Sequence, residues 1–411
     1  MRNALNSPFS PGSDAVPEVW AGRTEQLSDW RDVVRPRRIA GLPERGRTIL
    51  GEAGLGKSTL VRRIARDAAA AGDWVTPQLR IPSGADPLKL VAAAILELAD
   101  KAGLATAREK RIKLALSRVQ AVAVSGISLS IRQEAGPEPY TVLKDLLVEV
   151  GRAALARSDV MVLIHVDEVQ NITDENALSQ LLIALGDALV HEETITVQGG
   201  VQVTRSLPIA VYLTGLPDFA DLAGSRTGAT FARRFQTTTL AALSDADLSL
   251  ALQPFIIEGW PVPDELGGIS RIHIEPDAAA AIVDLCCGEP FLFQLAGERA
   301  WYAGTDDIIT RTQVLTGWRA ARSEAITHVE RILDRLPGRE REFLQAMAEL
   351  PIQERTLTRI AQAVGLGKAT DAGPTSQRLD TVRGLIDRGK QYTFRHRAVE
   401  AFLTSDWPNA H

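Results

Sequence analysis

The N-terminal half of the chain alternates between short apolar runs and apolar residues at helical spacing. "RTIL" at 47–50 is a run of the first kind and predicts a buried strand. The apolar residues that follow recur at helical spacing, at Leu60, Val61, Ile64 and Ala68. A glycine-rich stretch separates the two patterns. The order strand, loop, helix predicts the start of a parallel βαβ unit.

The alternation continues to residue 215. Further strands are predicted at 73–81, 160–168 and 208–215, and helices at 22–35, 86–103, 139–157 and 174–190. The helix at 86–103 carries its own start signal, because Asp86 can cap it and Pro87 suits the first helical position. These elements predict an α/β fold built on a doubly wound parallel sheet.

Two shorter segments have the pattern of tight β-hairpins. Residues 121–131 and 194–204 each alternate around a two-residue centre, Ser125-Gly126 and Gly199-Gly200. The tip of the second hairpin has no lysine or aromatic ring, and contact with bases needs charge or a stacking ring. We therefore expect this hairpin to serve as an edge or as a contact with protein.

The C-terminal third has a different pattern. Residues 244–325 are mainly helical in spacing, and later segments predict helices at 338–350, 356–365 and 375–389, followed by a short strand within 391–403. Three helices and a strand in this order suit a winged helix. We predict three parts: a nucleotide-binding core at 1–243, a helical lid at 244–325 and a winged-helix domain at 326–411.

Composition narrows the class of protein. The 411 residues are 45% apolar and 24% charged, and the net charge of −5 argues against a chain devoted wholly to coating nucleic acid. The adjacent Cys286 and Cys287 suit neither a disulfide framework nor a zinc site. No apolar run reaches the roughly 20 residues that span a bilayer, and no secretory signal opens the chain. We expect a cytoplasmic protein with no membrane contact.

The glycine-rich stretch matches G-x-x-x-x-G-K-[ST] between a predicted strand and a predicted helix. Such a loop wraps phosphates with backbone N–H groups at a helix N-terminus. We expect Lys57 to reach the β and γ phosphates and the Ser58 hydroxyl to bind Mg²⁺. The predicted nucleotide-binding residues of this loop are Gly51, Glu52, Ala53, Gly54, Leu55, Gly56, Lys57, Ser58 and Thr59.

Two carboxylates end the apolar strand at 160–168. Asp167 and Glu168 fall at the carboxyl edge of the predicted sheet, where α/β folds bind ligands. We expect Asp167 to hold the Mg²⁺ shell and Glu168 to orient or deprotonate the attacking water, which is the step that makes hydrolysis. The alternative is an acidic strand end that caps the next helix. We expect His165 to be a satisfied core histidine.

Thr214 ends the strand at 208–215. Its hydroxyl is a candidate to sense the γ phosphate or to position water, and ordinary Thr-Gly turn chemistry is the alternative.

Six segments together resemble AAA+-type ATPases of the broad group that unites archaeal and bacterial initiator-like ATPases with STAND signalling ATPases. They are "WAGRTEQL", "GEAGLGKST", "VLIHVDE", "YLTGLPD", "FARRF" and "GEPFLFQLAGERAW". The resemblance implies that Gly22 and Arg23 lie beside an adenine, so that the nucleotide is ATP. It also implies that Gly288 and Pro290, in a G-x-P element at the lid, contact the nucleotide. AAA+ proteins with a sensor arginine on the lid differ here, which argues against a simple ring-forming motor.

"FARRF" at 231–235 falls where initiator-like ATPases carry an arginine finger. The resemblance makes Arg233 or Arg234 a candidate to stabilise transition-state charge in a neighbouring subunit, with self-association in the ATP state. An arginine pair on a solvated face is the alternative.

The C-terminal segment resembles the winged-helix region of such ATPases. A DNA-reading helix would present Ser376, Gln377, Arg378 and Arg383 to a major groove, and Lys390, Arg395 and Arg397 near the wing would touch phosphates. Basic residues outnumber acidic ones between 374 and 397. A winged helix that packs on protein is the alternative.

These observations predict an ATP-binding and ATP-hydrolysing switch that uses Mg²⁺ and couples its nucleotide state to duplex DNA. The alternative is a STAND-like scaffold whose winged helix binds a partner protein and which turns over little ATP. A small-molecule kinase would need an acceptor pocket, for which the sequence has no evident segment.

Overall fold

The computed structural model describes residues 2–12, 15–104, 139–157, 159–197, 199–219, 233–263 and 268–409. The chain forms two compact units. The sheet unit consists of Thr24–Leu50 and Leu60–Thr239, and the loop unit consists of Met1–Arg23, Gly51–Thr59 and Leu240–His411. The predicted three-part division at residues 243 and 325 stays a prediction.

The sheet unit contains most of the predicted α/β elements. Its strands are β1 Gly46–Leu50, β2 Trp74–Val75, β3 Leu79–Arg80, β4 Val162–Asp167, β5 Glu192–Thr196, β6 Gln202–Ser206, β7 Ile209–Gly215 and β8 Phe235–Thr239. Its helices are α1 Thr24–Ser28, a π-helical segment Asp29–Val34, α2 Arg35–Ile39, α3 Lys57–Ala70, α4 Pro87–Lys101, α5 Pro139–Leu155 and α6 Glu175–Leu189, with α3 beginning in the loop unit. Asp86 caps α4 as predicted, since its carboxylate accepts from the N–H groups of Leu88 and Lys89.

Six strands form one parallel sheet in the order β2-β4-β7-β1-β8, with β3 also paired to β4. The predicted strand at 73–81 is therefore two short strands. Pro77 stands between them and has no N–H group to donate to a ladder. The predicted doubly wound parallel sheet is confirmed, and its parallel order places the carboxyl ends of β1, β4 and β7 at one edge.

Side chains of β4 alternate between two environments. Val162, Ile164 and Val166 lie in the apolar cluster under α4, α5 and α6. The intervening side chains, His165 and Asp167 among them, point to the other face, where Trp30 packs edge-on against Tyr212 of β7. The pleat thus selects which polar side chains of β4 and β7 share a face.

The predicted hairpin at 194–204 is present. β5 and β6 pair antiparallel, with Thr196 opposite Gln202. Gly199 and Gly200 in the turn have φ of 95° and 80°, which glycine adopts without a Cβ penalty. The other predicted hairpin, at 121–131, lies outside the described residues.

The loop unit combines the phosphate-loop segment with helices of the C-terminal third. Its helices are α7 Asp245–Ile257, α8 Pro276–Cys286, α9 Pro290–Tyr302, α10 Arg311–Asp334, α11 Gly338–Glu349, α12 Leu357–Ala363, α13 Gly373–Gln377 and α14 Arg397–Thr404. Its strands are β9 Trp260–Pro263, β10 Ile269–Ile274, β11 Ile308–Ile309, β12 Ile386–Asp387 and β13 Thr393–Phe394. One apolar cluster runs through these helices.

A small sheet interrupts the region predicted to be mainly helical. β10 pairs antiparallel with β9 and parallel with β11. β9 contains prolines at 261 and 263, which are uncommon inside strands, and β11 is only two residues long. Proline is tolerated on an edge strand, and β9 is one.

The C-terminal elements form a winged helix, as predicted. Helices α11, α12 and α13 precede the two-stranded pair of β12 and β13, in which Ile386 faces Phe394. The third helix is shorter than expected. Its π-helical continuation ends at Val382 and Gly384 follows with φ of 66°, so residues 384–389 turn into the wing instead. α14, which follows the wing, was not predicted as a separate helix.

Among the described residues, no helix is both long enough and apolar enough to cross a membrane.

Candidate functional site

The phosphate-loop segment has the backbone that its glycines predict. Gly54 and Gly56 have φ of 85° and 79°, values that glycine adopts without strain. Lys57 begins α3, is 8% exposed, and donates from Nζ to the Glu52 carbonyl at 2.9 Å. The loop thus encloses a buried cation at a helix N-terminus, which favours an anionic ligand.

Gly22 and Arg23 lie beside this loop. The Arg23 guanidinium donates to the carbonyls of Leu55 and Ala241, both at 2.9 Å. Burial lowers the pKa of Arg23 to about 10, against the raising effect of Asp247. The segment that the resemblance places at an adenine is therefore fixed to the phosphate loop by hydrogen bonds.

The Gly288–Pro290 element also approaches the loop. Gly288 has φ of 80°, and its carbonyl accepts from the Leu243 N–H at 2.7 Å. Pro290 begins α9, and the N–H of Phe291 donates to the Gly54 carbonyl at 3.2 Å. The loop unit thus brings together the first, second and last of the predicted nucleotide-binding segments, at 22–23, 51–59 and 288–290.

Two further side chains contact the loop, and sequence reasoning missed both. The Glu52 carboxylate, 7% exposed, forms an ion pair with Arg335 just after α10. A Cβ at Gly54 would collide with the ring of His328 on α10. Neither residue belongs to a motif, and each is more than 270 positions away along the chain, so no sequence signal identified them.

In the sheet unit, Asp167, Thr214 and His165 form a buried hydrogen-bonded group. The Thr214 hydroxyl donates to Asp167, and His165 Nε2 lies 3.0 Å from Thr214 Oγ1. β4 and β7 are neighbours, and these side chains share one face of the sheet. Thr214 has no exposed surface. Its geometry favours orienting Asp167, while its role as a γ-phosphate sensor stays a prediction.

Three more groups surround the Asp167 carboxylate. Gln78 Nε2 donates to it, the Glu168 N–H donates to it at 3.0 Å, and Arg80 Nε lies 3.7 Å away. Gln78 and Arg80 were not identified from the sequence, because the strand at 73–81 was expected to be one element whose side chains simply alternate. These contacts fix the orientation of the carboxylate.

His165 is buried and hydrogen-bonded, as expected. Its burial lowers the pKa of the imidazole to about 4, an effect that the nearby Asp167 charge opposes. The ring is therefore neutral at pH 7 and supports Thr214 without exchanging protons.

Glu168 differs from Asp167 in exposure and backbone conformation. Its φ of 59° places it in the left-handed region, which a non-glycine residue seldom adopts. Its side chain is partly exposed and accepts from Gln170 Nε2, whose Oε1 in turn accepts from the Leu216 N–H at 3.1 Å. Glu168 is thus more exposed than Asp167, and its role in orienting water stays a prediction.

The candidate arginine finger has an intramolecular contact. Arg234 forms an ion pair with Asp187 on α6, while Arg233 is exposed. Both precede β8 directly. Assignment of a finger to either arginine stays a prediction.

In the winged helix, the candidate DNA-reading arginines share one carboxylate. Glu340 on α11 has a side chain that is only 4% exposed, and it accepts from Arg378 Nε at 2.9 Å and from Arg383 Nε at 3.0 Å. Ser376 is fully buried and donates to the Gly373 carbonyl. The expectation that Ser376 faces a groove is therefore wrong, because α13 turns that side towards the core.

The arginines near the wing are also paired. Arg395 forms ion pairs with Asp380 and Asp387, and Arg397 with Asp245. Two basic side chains at the wing remain exposed and form no ion pair with any described residue, Arg388 and Lys390. The predicted basic excess thus reduces to these two charges at the hairpin tip.

Cys286 and Cys287 are free and buried. Burial raises the pKa of the Cys286 thiol far above its usual range and that of Cys287 to about 12.

Comparison with known proteins supports the fold. A Walker-type ATPase of Pyrococcus abyssi is 13% identical, with a TM-score of 0.55 over 93% of this chain and 96% of that one. The ORC2 protein of Aeropyrum pernix, solved with ADPNP and ADP, is 16% identical, with a TM-score of 0.55 over 98% of this chain and 95% of that one. No protein-family model matches the chain, and no curated protein matches it.

The phosphate loop and the parallel sheet, together with this likeness, show that the chain has the fold of these two proteins, a P-loop α/β core followed by a winged helix.

Proposed function

We propose that this protein is an ATP-binding and ATP-hydrolysing molecular switch. The observation that carries the proposal is the convergence of Arg23, Pro290 and the buried Lys57 on one glycine loop. The Lys57 ammonium group lies at the N-terminus of α3 inside this loop, where backbone N–H groups and the helix dipole favour an anion. A nucleoside triphosphate is an anion of this kind.

The residues present also fit Mg²⁺. Ser58 supplies a hydroxyl and Asp167 a carboxylate, and oxygen donors of these kinds are the ligands that Mg²⁺ takes beside nucleotide phosphates. The ion, when bound, neutralises charge that develops on the phosphates. Thr214 and Gln78 hydrogen-bond the Asp167 carboxylate. Glu168 is the residue that we propose to orient the attacking water.

The names of the similar structures agree with this proposal. One is called a Walker-type ATPase, and the other was solved with ADPNP and ADP. Nucleotide binding follows from the loop itself, and the comparison supports ATP as the nucleotide. The buried thiols of Cys286 and Cys287 suit the cytoplasmic location that we propose.

A titration with a fluorescent ATP analogue tests the proposal. We expect the wild type to bind it with Mg²⁺ and Lys57→Ala to lose at least tenfold in affinity, since the ammonium group pairs with the β and γ phosphates. Lys89→Ala is the control, because Lys89 is an exposed lysine on α4. Equal affinity in wild type and Lys57→Ala would contradict the assignment of the loop.

For the output of the switch, we propose duplex DNA contacted by the wing. Arg388 and Lys390 are exposed at a hairpin tip, where a winged helix meets a phosphate backbone. Arg378, Arg383, Arg395 and Arg397 remain candidates, although each would have to exchange a carboxylate for a phosphate.

DNA binding by wild type and Lys390→Ala at a series of salt concentrations tests whether the wing contacts DNA. Contact with phosphates predicts that DNA affinity falls as salt rises, and that loss of Lys390 weakens binding and reduces the salt slope by about one. A DNA affinity that is the same in Lys390→Ala would contradict a wing contact.

Ion pairing of the four arginines favours the second candidate, a scaffold whose winged helix binds protein. A surface on which charges are already neutralised is suited to a protein contact more than to a polyanion. Absence of salt-dependent DNA binding by the wild type, with ATP binding intact, would select this function. Self-association in the ATP state, with Arg233 or Arg234 reaching a neighbouring subunit, is compatible with both candidates.

A further inference from the structure

One buried cluster of titratable groups takes no part in the proposed chemistry. Glu289 precedes α9 and has no exposed side-chain surface. His328 on α10 forms a hydrogen bond with Glu289 Oε2, and His396, just before α14, places Nδ1 3.2 Å from Glu289 Oε1. The two rings are 10% and 5% exposed in their side chains. Three elements of the loop unit therefore meet at one carboxylate.

This cluster touches the phosphate loop directly. The His328 ring occupies the space that a Cβ at Gly54 would need, and it packs on the Phe291 ring with centroids 4.9 Å apart. The Phe291 N–H donates a hydrogen bond to the Gly54 carbonyl. Arg335, two turns beyond His328, forms an ion pair with the Glu52 carboxylate. α9 and α10 thus fix both the backbone and a side chain of the loop.

The other end of the cluster is the winged helix. His396 lies between β13 and α14, so any movement of the wing relative to α9 changes its distance from Glu289. Among the described residues, neither ring nitrogen of His396 has a hydrogen-bond partner, and Glu289 Oε1 has none either. The His396 ring thus faces Glu289 Oε1 at contact distance without a hydrogen bond between them.

A buried carboxylate is unfavourable unless a cation or N–H donor lies against it. His328 supplies a hydrogen bond and the His396 ring lies against Oε1, so displacing either ring changes the surroundings of the buried Glu289 carboxyl group. Moving the wing therefore changes the free energy of the loop conformation through Glu289, and a change in the loop affects the wing in the same way.

We propose that Glu289, His328 and His396 are positioning residues that preorganise the phosphate loop from the winged helix and so couple nucleotide affinity to the position of the wing. This inference rests on the proposed nucleotide binding. It assigns the regulation of that site to three side chains, two of which belong to no recognised motif. Because linkage is reciprocal, nucleotide must in turn stabilise the wing.

The test compares Glu289→Gln with a matched control, Glu324→Gln. Both changes replace a carboxylate that contacts a side chain across the α9–α10 packing: Glu289 bonds His328, and Glu324 pairs with Arg299, but the Glu324 side chain is 46% exposed. His396→Gln is the second variant, and unfolding curves confirm that each variant is folded. The readouts are affinity for a fluorescent ADP analogue, steady-state hydrolysis, and hydrogen exchange of residues 51–59 and 386–404.

We expect Glu289→Gln and His396→Gln to weaken nucleotide affinity about tenfold, within the range of typical coupling energies. In hydrolysis, KM rises by a similar factor and kcat stays within about twofold, because the residues position the loop without touching the reacting water. Nucleotide protects residues 386–404 from exchange in the wild type and in Glu324→Gln, but not in the other two variants.

Unchanged affinity, KM and exchange in both variants would overturn the proposal, and so would equal effects of Glu324→Gln. If the wild type binds no nucleotide, the proposed function fails. Hydrogen exchange of the nucleotide-free chain then tests by itself whether the wing and the loop are coupled. Faster exchange of residues 51–59 in His396→Gln supports the coupling in that case, and unchanged exchange overturns it.

Discussion

Replacing both Arg378 and Arg383 by alanine should destabilise the winged helix, whatever the two arginines do with DNA. Both guanidinium groups bond the Glu340 carboxylate, whose side chain is 4% exposed, while Arg383 is 15% and Arg378 50% exposed. Leaving a buried carboxylate without a cation costs about 3–5 kcal/mol. We therefore expect a loss of roughly 3 kcal/mol in the free energy of unfolding for the double variant.

The single variants should divide this loss unequally. Arg378 is half exposed, so its removal costs under about 1 kcal/mol, whereas Arg383→Ala costs about 2 kcal/mol because its group is desolvated. Adding Glu340→Gln to the double variant should recover most of the stability, since the uncompensated charge is then gone.

Urea unfolding followed by circular dichroism measures these differences. The reasoning is refuted if the double variant lies within about 0.5 kcal/mol of the wild type, the size of an ordinary surface change. It is also refuted if Glu340→Gln makes the double variant still less stable. Weakened DNA binding by the double variant is interpretable only when this stability has been measured.

Two further predictions concern buried groups. Because the pKa of His165 is about 4 in the fold and about 6.5 when unfolded, the unfolded chain takes up the proton first as pH falls, so stability decreases between pH 6.5 and 4. The wild type should lose about 2 kcal/mol more than His165→Gln between pH 7 and 5 in urea unfolding, and equal losses would contradict the burial argument. Cys286 and Cys287 should react with a chromogenic disulfide reagent only after denaturation, given their burial and raised pKa, and rapid reaction of the native chain would contradict it.

Much of the fold was predictable because apolar periodicity and turn chemistry are local. The strand at 46–50, the capped helix at 87–101 and the Gly199-Gly200 hairpin all carry their signals within a few residues. The missed β9 and the divided strand at 73–81 have prolines that obscure strand patterns. Their pairing depends on neighbours far away in sequence.

The candidate site likewise contains residues that the sequence identified and residues that it did not. The phosphate-loop glycines and the Asp167-Glu168 pair are contiguous motifs, so their place at a strand end is visible in the sequence. Gln78, His328 and Arg335 act through tertiary contacts, which no spacing in the sequence encodes. The count of basic residues at 374–397 overestimates the unpaired positive charge for the same reason. Glu340 and Asp245, which pair with Arg378 and Arg397, lie outside that segment.

Steady-state ATP hydrolysis by the wild type and Glu168→Gln, with and without duplex DNA, tests the central claim most directly. Glu175→Gln is the control, because Glu175 is an exposed carboxylate at the start of α6. We predict that Glu168→Gln binds ATP as the wild type does and loses turnover by at least about a hundredfold, the usual contribution of a positioned general base. Turnover retained by Glu168→Gln, at unchanged ATP affinity, would contradict the account.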